Sequence, residues 1–430
     1  MSYIKTLLGG TSRRTVLKGI GAGTVALAMP HVARAQAGTI KIGFVTPATG
    51  PMALFGDTDG FAVDRVRKLL ADGLDINGER YNVEILVQDS QSDSNRAAEV
   101  AGDLILNEEV HMIIPASTTP TITAVADQAE LFETPCVSCA APWQAIIFPR
   151  GGQDKPFNWT YHFFWGLDEA LNTFVGLWET LETNRKVGML FPQNIDGETW
   201  GNRDYGLPAP TEAAGFEVTV PGFFQPRTND FTAQISTFKN EACEIVGGIA
   251  FVDDFKTFVN QCNQQGYHPK AMTMAAALLF PSAVEAMGEL GNGMSSEVWW
   301  TPAFPFKSSL TGQVSRDIAD DWEAETGRQW TQPLGYSHAI FEVAIDTLKR
   351  SANPLDRTSI RDAMKATNLD TLIGPVNFST GPHPNVSTTP IFGGQWVPGD
   401  KWMYDLKIVD NSVNKLFEPE QKMKVLPWAS

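Results

Sequence analysis

The side chains best suited to holding a small polar molecule fall into a few short stretches of this 430-residue chain. Ser117, Thr118 and Thr119 place three hydroxyls between an apolar run ending near Ile114 and a helical pattern beginning near Thr121. Hydroxyls there either cap the helix or join its unpaired backbone N–H groups in binding a carboxylate. Asp196, in Asn194-Ile195-Asp196-Gly197, and Asp253 each follow an apolar run. Each can set a negative charge against a ligand's ammonium, or serve only as a turn or cap residue. Covalent chemistry finds less support. The six histidines (31, 111, 162, 268, 338 and 383) show no metal-binding helical spacing, and neither a serine-nucleophile elbow nor a phosphate-binding loop is present. Cys136 and Cys139 lie in Thr134-Pro135-Cys136-Val137-Ser138-Cys139, which reads as a short buried strand. Residues three apart on a strand face opposite sides, and no second pair completes a zinc site. Cys262 sits on an apolar helical stripe, where either core packing or a disulfide with Cys243 suits it. No catalytic residue, metal or cofactor is expected, and an exported hydrolase or redox enzyme stands only as the competing class.

The elements that must position these groups alternate. Ile40, Ile42 and Phe44 mark a strand, followed by a helical stripe of Ala62, Val66, Leu69 and Leu70. Residues 83–87 and 112–114 predict further strands, each followed by a helix, and the beat resumes at 187–191 and 245–252. Such repetition calls for parallel strands with crossover helices on both faces, that is, an α/β doubly wound architecture. In open sheets of that kind ligands bind where strands end and helices begin. Between the two halves, residues 155–166 gather Phe157, Trp159, Tyr161, Phe163, Phe164 and Trp165, a composition expected where the chain crosses between lobes. Residues 299–306 and 368–377 read as two further crossings.

The N-terminus carries Arg13-Arg14 before an apolar run from Gly19 to Met29 and the small-residue site Ala33-Arg34-Ala35, the pattern of a twin-arginine export signal over residues 1–35. Gly19, Gly21 and Gly23 fall inside that signal with no strand before them, so they form no dinucleotide loop. The apolar run has 11 residues, about half of the roughly 20 that span a bilayer. Removing the signal leaves 28 basic against 49 acidic residues, a formal charge of −21. Nucleic acid is therefore an implausible partner. No cysteine precedes Cys136 to accept a lipid anchor, so the expected location is the periplasm, without membrane insertion after cleavage.

The stretch Phe44-Val45-Thr46-Pro47-Ala48-Thr49-Gly50-Pro51, Gly56-Asp57 after Phe55, Gln88-Asp89-Ser90, Ala116-Ser117-Thr118-Thr119 and Gly374-Pro375-Val376 together resemble the leucine/isoleucine/valine-binding protein family, type I periplasmic receptors of ABC importers. The resemblance runs in order along essentially the whole mature chain. It implies two Rossmann-like lobes joined by three crossovers, residues 39–163 plus 303–375 and residues 164–302 plus 376–430, closing on a solute such as an amino acid, an amide or a carboxylic acid. The implied partners are that solute and the permease subunits. A ligand-sensing partner of a membrane receptor is the alternative that shares this fold.

Carried over residue by residue, the resemblance implies ligand contacts at Ser117 and at the backbone of Ala140 and Ala141. Phe55 stands where relatives place a tyrosine, and Pro142 where they usually place a threonine. Trp143 then either covers the ligand or packs on the hinge. Trp200 and Phe251 would add apolar walls in the second lobe. Relatives that bind α-amino acids present a glutamate after the strand corresponding to residues 272–275. Here Leu278 and its neighbours fill that place, with no acid between Lys270 and Glu285. Asp196, with Asn194 beside it, or Asp253 would have to supply the counter-charge, since a buried ammonium without one costs several kcal/mol.

Overall fold

A computed structural model describes residues 37–153 and 155–429. The twin-arginine segment, residues 1–35, lies outside the described residues.

The alternating apolar residues of the first strand, Gly38–Thr46, explain its central place. Ile40, Ile42 and Phe44 enter a core shared with Phe61 and Val66 of helix Asp59–Leu69. Val45 faces the other way, among Ala97, Val100 and Leu104 of helix Ser94–Leu106. A strand covered on both faces is what a parallel α/β sheet requires. It pairs in parallel with Glu79–Asp89 on one side and Met112–Pro115 on the other. Cys136–Cys139 and Thr160–Phe163 extend the sheet beyond Met112–Pro115, again in parallel. Among the described residues, only the edge strand Leu74–Ile76 runs antiparallel in this sheet. Cys136 and Cys139 do face opposite sides, each in a different apolar cluster. All four cysteines are buried free thiols, and burial pushes that of Cys136 up to about 12.

The second sheet centres on Ile245–Ala250, flanked in parallel by Lys186–Leu190 and Ala271–Ala276. Trp178 of helix Leu167–Glu179 lies over this sheet at Gly247, where an added Cβ would come within 2.4 Å of its ring. The indole N–H donates to Thr273 Oγ1 at 2.8 Å, so one aromatic side chain fixes helix to sheet by shape and by hydrogen bond. Beyond Ser295–Val298 come two strands without an obvious signal in the sequence, Phe392–Pro398 and Tyr404–Asp410, both paired antiparallel. Both sheets are thus mixed but rich in parallel pairs, in the α/β two-lobe arrangement that the strand and helix rhythm predicts.

The chain passes between the sheets at residues 164–166, 299–314 and 388–391. The third passage corrects the expected boundary at 375/376. Gly374, at φ +112°, turns a hairpin that pairs Asn368–Thr371 with Gly374–Asn377 instead of carrying the chain across. The strand Val386–Ser387 then adds to the first sheet beside His162 and Phe163. Helix Pro333–Arg350 ties the second passage to that hairpin through Glu342, which is wholly buried. Its carboxylate accepts from the backbone N–H and the Oγ–H (2.9 Å) of Ser309 and from the N–H of Leu372 (2.8 Å). Burial pushes this carboxyl up to about 7. No described helix is long and apolar enough to cross a membrane.

Candidate functional site

A cavity of about 70 Å³ lies between the two sheets, several times the space one water needs. Its walls are assembled from the segments that follow strand C-termini, which is where open α/β sheets leave a crevice. From the first lobe come Thr118 and Thr119 after Met112–Pro115, Ala140 to Pro142 after Cys136–Cys139, and Phe55 from the helix Ala53–Gly56. From the second come Asp196 and Trp200 after Lys186–Leu190, Phe251 after Ile245–Ala250, and Ala276 closing Ala271–Ala276. Ala140 and Ala276 both adopt left-handed backbone, each at φ +64°. That conformation costs an alanine about 1–2 kcal/mol, and here it recurs at facing strand ends. The passages between the lobes add Phe164, Trp165 and Trp299. Phe164 stacks obliquely on Trp165 at 4.5 Å and meets Trp299 edge-on at 5.2 Å, so the back wall is one aromatic cluster.

The polar groups in this apolar surround are few. Glu297, at the end of Ser295–Val298, is 2 % exposed; its carboxylate accepts from Ser296 Oγ at 2.7 Å. Burial pushes its carboxyl up to about 7, against the opposing pull of Ser296 and of backbone N–H groups, including that of Ala276. Asp196, part-buried, is likewise raised by burial, to about 6, against the opposing pull of the Thr119 side chain. Three residues of the lining carry a buried donor with no partner in the protein: Thr118 Oγ1, Trp165 Nε1 and Trp299 Nε1. Among the described residues lining the cavity, none is basic. Two acids and three residues with unpartnered donors therefore line one space, an arrangement fit for a guest that both donates and accepts hydrogen bonds. No group of three histidine, cysteine or acidic side chains among the described residues is placed to hold a metal ion.

Of the positions singled out in the sequence, Phe55, Thr118, Thr119, Ala140, Ala141 and Asp196 line this cavity, as do Trp200 and Phe251. The other five stand elsewhere. Ser117 is buried with its Oγ unpartnered, in a smaller hollow behind Ala140 that also holds Asp59. Trp143 packs edge-on to Phe148 and over the His383 ring, outside the cavity. Asn194 caps the helix Ile195–Trp200, its Oδ1 accepting from Gly197 N–H at 2.9 Å. Asp253 is exposed on the first turn of helix Val252–Gln264. Leu278 is core, and its carbonyl accepts from Trp396 Nε1 at 2.8 Å, while the next residue, Leu279, reaches the cavity.

One strand after residues 271–276 the cavity wall does carry an acid, Glu297, a position that the sequence analysis does not single out. Ser295-Ser296-Glu297-Val298 lacks the apolar alternation of a strand, so nothing marked it as the end of one. The available signal was its place just before the aromatic passage Trp299-Trp300.

The sequence matches the periplasmic binding protein family over residues 39–400. The Leu/Ile/Val-binding protein homolog 7 of Brucella abortus (strain 2308) is 22% identical over 354 residues, covering 79% of this chain and 85% of that protein. The branched-chain amino acid transporter substrate binding protein LivJ of Streptococcus pneumoniae, solved with isoleucine, superposes with a TM-score of 0.68 at 15% identity, covering 86% of this chain and 99% of that one. A solute binding protein of an ABC transporter from Rhodopseudomonas palustris BisB5, solved with 3,4-dihydroxy benzoic acid, superposes with a TM-score of 0.67 at 18% identity, covering 85% and 95%.

Proposed function

The chain belongs to the periplasmic binding protein family, in its leucine/isoleucine/valine-binding branch, and from that premise we propose that it captures a small ammonium- or amide-bearing solute and delivers it to the permeases of an ABC importer. Members of this family are binding proteins, not enzymes, so the event to explain is recognition and closure.

One observation carries the choice of solute: Glu297 and Asp196 are both desolvated acids in a cavity whose described lining has no basic residue. An ammonium or amide N–H answers them. Thr118, Trp165 and Trp299 offer donors to the solute's carboxylate or carbonyl, and Phe55, Trp200 and Phe251 take its apolar body. A solute whose only charge is a carboxylate, such as a benzoate, would set a further negative charge beside these acids. At about 4–8 Å and an effective dielectric near 20 that costs roughly 2–4 kcal/mol. Thr119 of one lobe and Asp196 of the other line the same cavity, and a solute touching both walls shifts the population toward closure. Export by the twin-arginine route belongs to the same proposal. Replacing both Arg13 and Arg14 with Lys should strand the protein in the cytoplasm, read by cell fractionation.

The test is calorimetric titration of the purified protein at pH 8 with neutral L-amino acids, their amides, and hydroxybenzoates. A neutral amino acid or amide should bind, and Glu297→Gln should weaken it at least about tenfold. Tighter binding of 4-hydroxybenzoate than of any amine, with no loss in Glu297→Gln, would overturn the reading.

A further inference from the structure

Phe55 and Phe280 meet edge to face across the two lobes, ring centroids 5.0 Å apart, and a second hollow adjoins the acid-lined cavity at this contact. The dividing wall is built from alternate residues: Phe55 and Leu279 face the first cavity, Leu54 and Phe280 the second. The second hollow encloses about 270 Å³ between the same two lobes.

Two of its polar side chains are deeply buried with atoms that have no partner in the protein. Gln329, 7 % exposed, donates through Nε2 to the Tyr404 carbonyl at 2.9 Å, which leaves Oε1 free. Thr331, 5 % exposed, has an unpartnered Oγ1. A buried polar atom left without a hydrogen bond is costly, so a guest that satisfies it gains that cost back. Gln329 Oε1 can only accept, and the Thr331 oxygen can.

The charges agree with the hydrogen-bond balance. Arg328 pairs with Asp57 at 2.6 Å, and Glu285 forms no ion pair among the described residues. With Glu323 nearby paired to Lys401, one negative charge in the lining remains uncompensated. The walls include Trp322, Trp402 and Phe280, and the Arg328 guanidinium already lies 4.7 Å over the Trp322 ring, so the aromatic surface accommodates a planar cation.

We propose that this hollow is a second solute subsite, taking a cationic, hydrogen-bond-donating nitrogen group such as a guanidinium or primary ammonium, and divided from the first cavity by the Phe55–Phe280 contact.

Butylguanidine is the probe, titrated calorimetrically into the purified protein and its variants at pH 8. Saturable binding is expected, weakened about tenfold by Glu285→Gln, which removes the unpaired charge, and severalfold by Thr331→Val. Asp196→Asn, on the other side of the dividing wall, should leave the probe's affinity within about twofold. Glu285 is partly exposed, so its variant stays interpretable even if Thr331→Val does not fold. The proposal is overturned by no saturable binding, by equal affinity in Glu285→Gln, or by loss of the probe in Asp196→Asn, which would place it in the first cavity. Amino-acid binding lost in Glu297→Gln with the probe retained separates this subsite from the reading of the first cavity.

Discussion

Glu297 in the cleft and Glu342 beside the second passage are both buried carboxyls raised to about 7 by desolvation, yet their surroundings differ in kind. Glu342 spends its acceptor capacity on its own chain, one oxygen on Ser309 and the other on the Leu372 N–H. Glu297 is held by Ser296 and by backbone N–H groups but borders a cavity that also collects unpartnered donors. A raised carboxyl therefore reports burial in both places. What distinguishes a recognition group from a structural one is what shares its space.

The largest expected effect tests the structural member. Glu342→Ala strips Ser309 and Leu372 of their acceptor and leaves a void, so urea unfolding at pH 5.5 should show a loss of about 3–4 kcal/mol, with solute affinity of the folded protein unchanged. An unmoved midpoint would mean that the tie between passage and hairpin holds nothing.

Glu297→Gln should behave oppositely. Amino-acid affinity drops about 30-fold, roughly 2 kcal/mol, while stability without solute at pH 8 does not fall. The sign follows from linkage. A carboxyl whose folded pKa of about 7 lies above its unfolded value near 4.5 favours the folded state at low pH and loses that contribution as pH rises through 7. The neutral amide escapes this loss, on the order of 3 kcal/mol. Lower stability of the variant at pH 8 would make Glu297 a second structural acid and erase the contrast.

Solute affinity itself should fall about tenfold between pH 8 and pH 5.5, because protons compete for Glu297 near 7 and for Asp196 near 6. Calorimetry in buffers of different ionisation enthalpy should show protons released on binding, and Glu297→Gln should flatten the slope. The smallest effect belongs to positions outside the cavity: Asp253→Asn and Trp143→Phe should each change affinity less than about twofold in the same titration. A larger change at either would widen the site beyond its geometric lining.

The parts of the fold most legible from residues alone are those where one physical demand dominates. Ile40, Ile42 and Phe44 alternate because one face of the strand fills a single core, while Val45 turns to the other face. Phe255, Phe258, Val259 and Cys262 repeat because a helix buries one stripe. Antiparallel Phe392–Pro398 was not legible, since Gly393 and Gly394 weaken the strand pattern where neighbouring side chains crowd in. The cleft was readable through the loops after strands, which led to Thr118, Ala140 and Asp196. It was not readable at Glu297, because the polar run Ser295-Ser296-Glu297 is a strand only by virtue of its neighbours in the sheet. Asp253 and Asn194 show the converse: capping a turn and greeting a guest ask for the same residue types, and only side-chain direction tells them apart.

The triple connection near residues 164–166, 299–314 and 388–391 has a mechanical corollary. A body joined to another by one tether can spin and slide; joined by three, it keeps a single soft coordinate, bending. In the proposed closure, the two halves would then bring Thr119 and Asp196 back to the same cavity without any search for alignment. On that proposal the rate of capture would be set by how often a guest arrives and by how far the jaws stand apart.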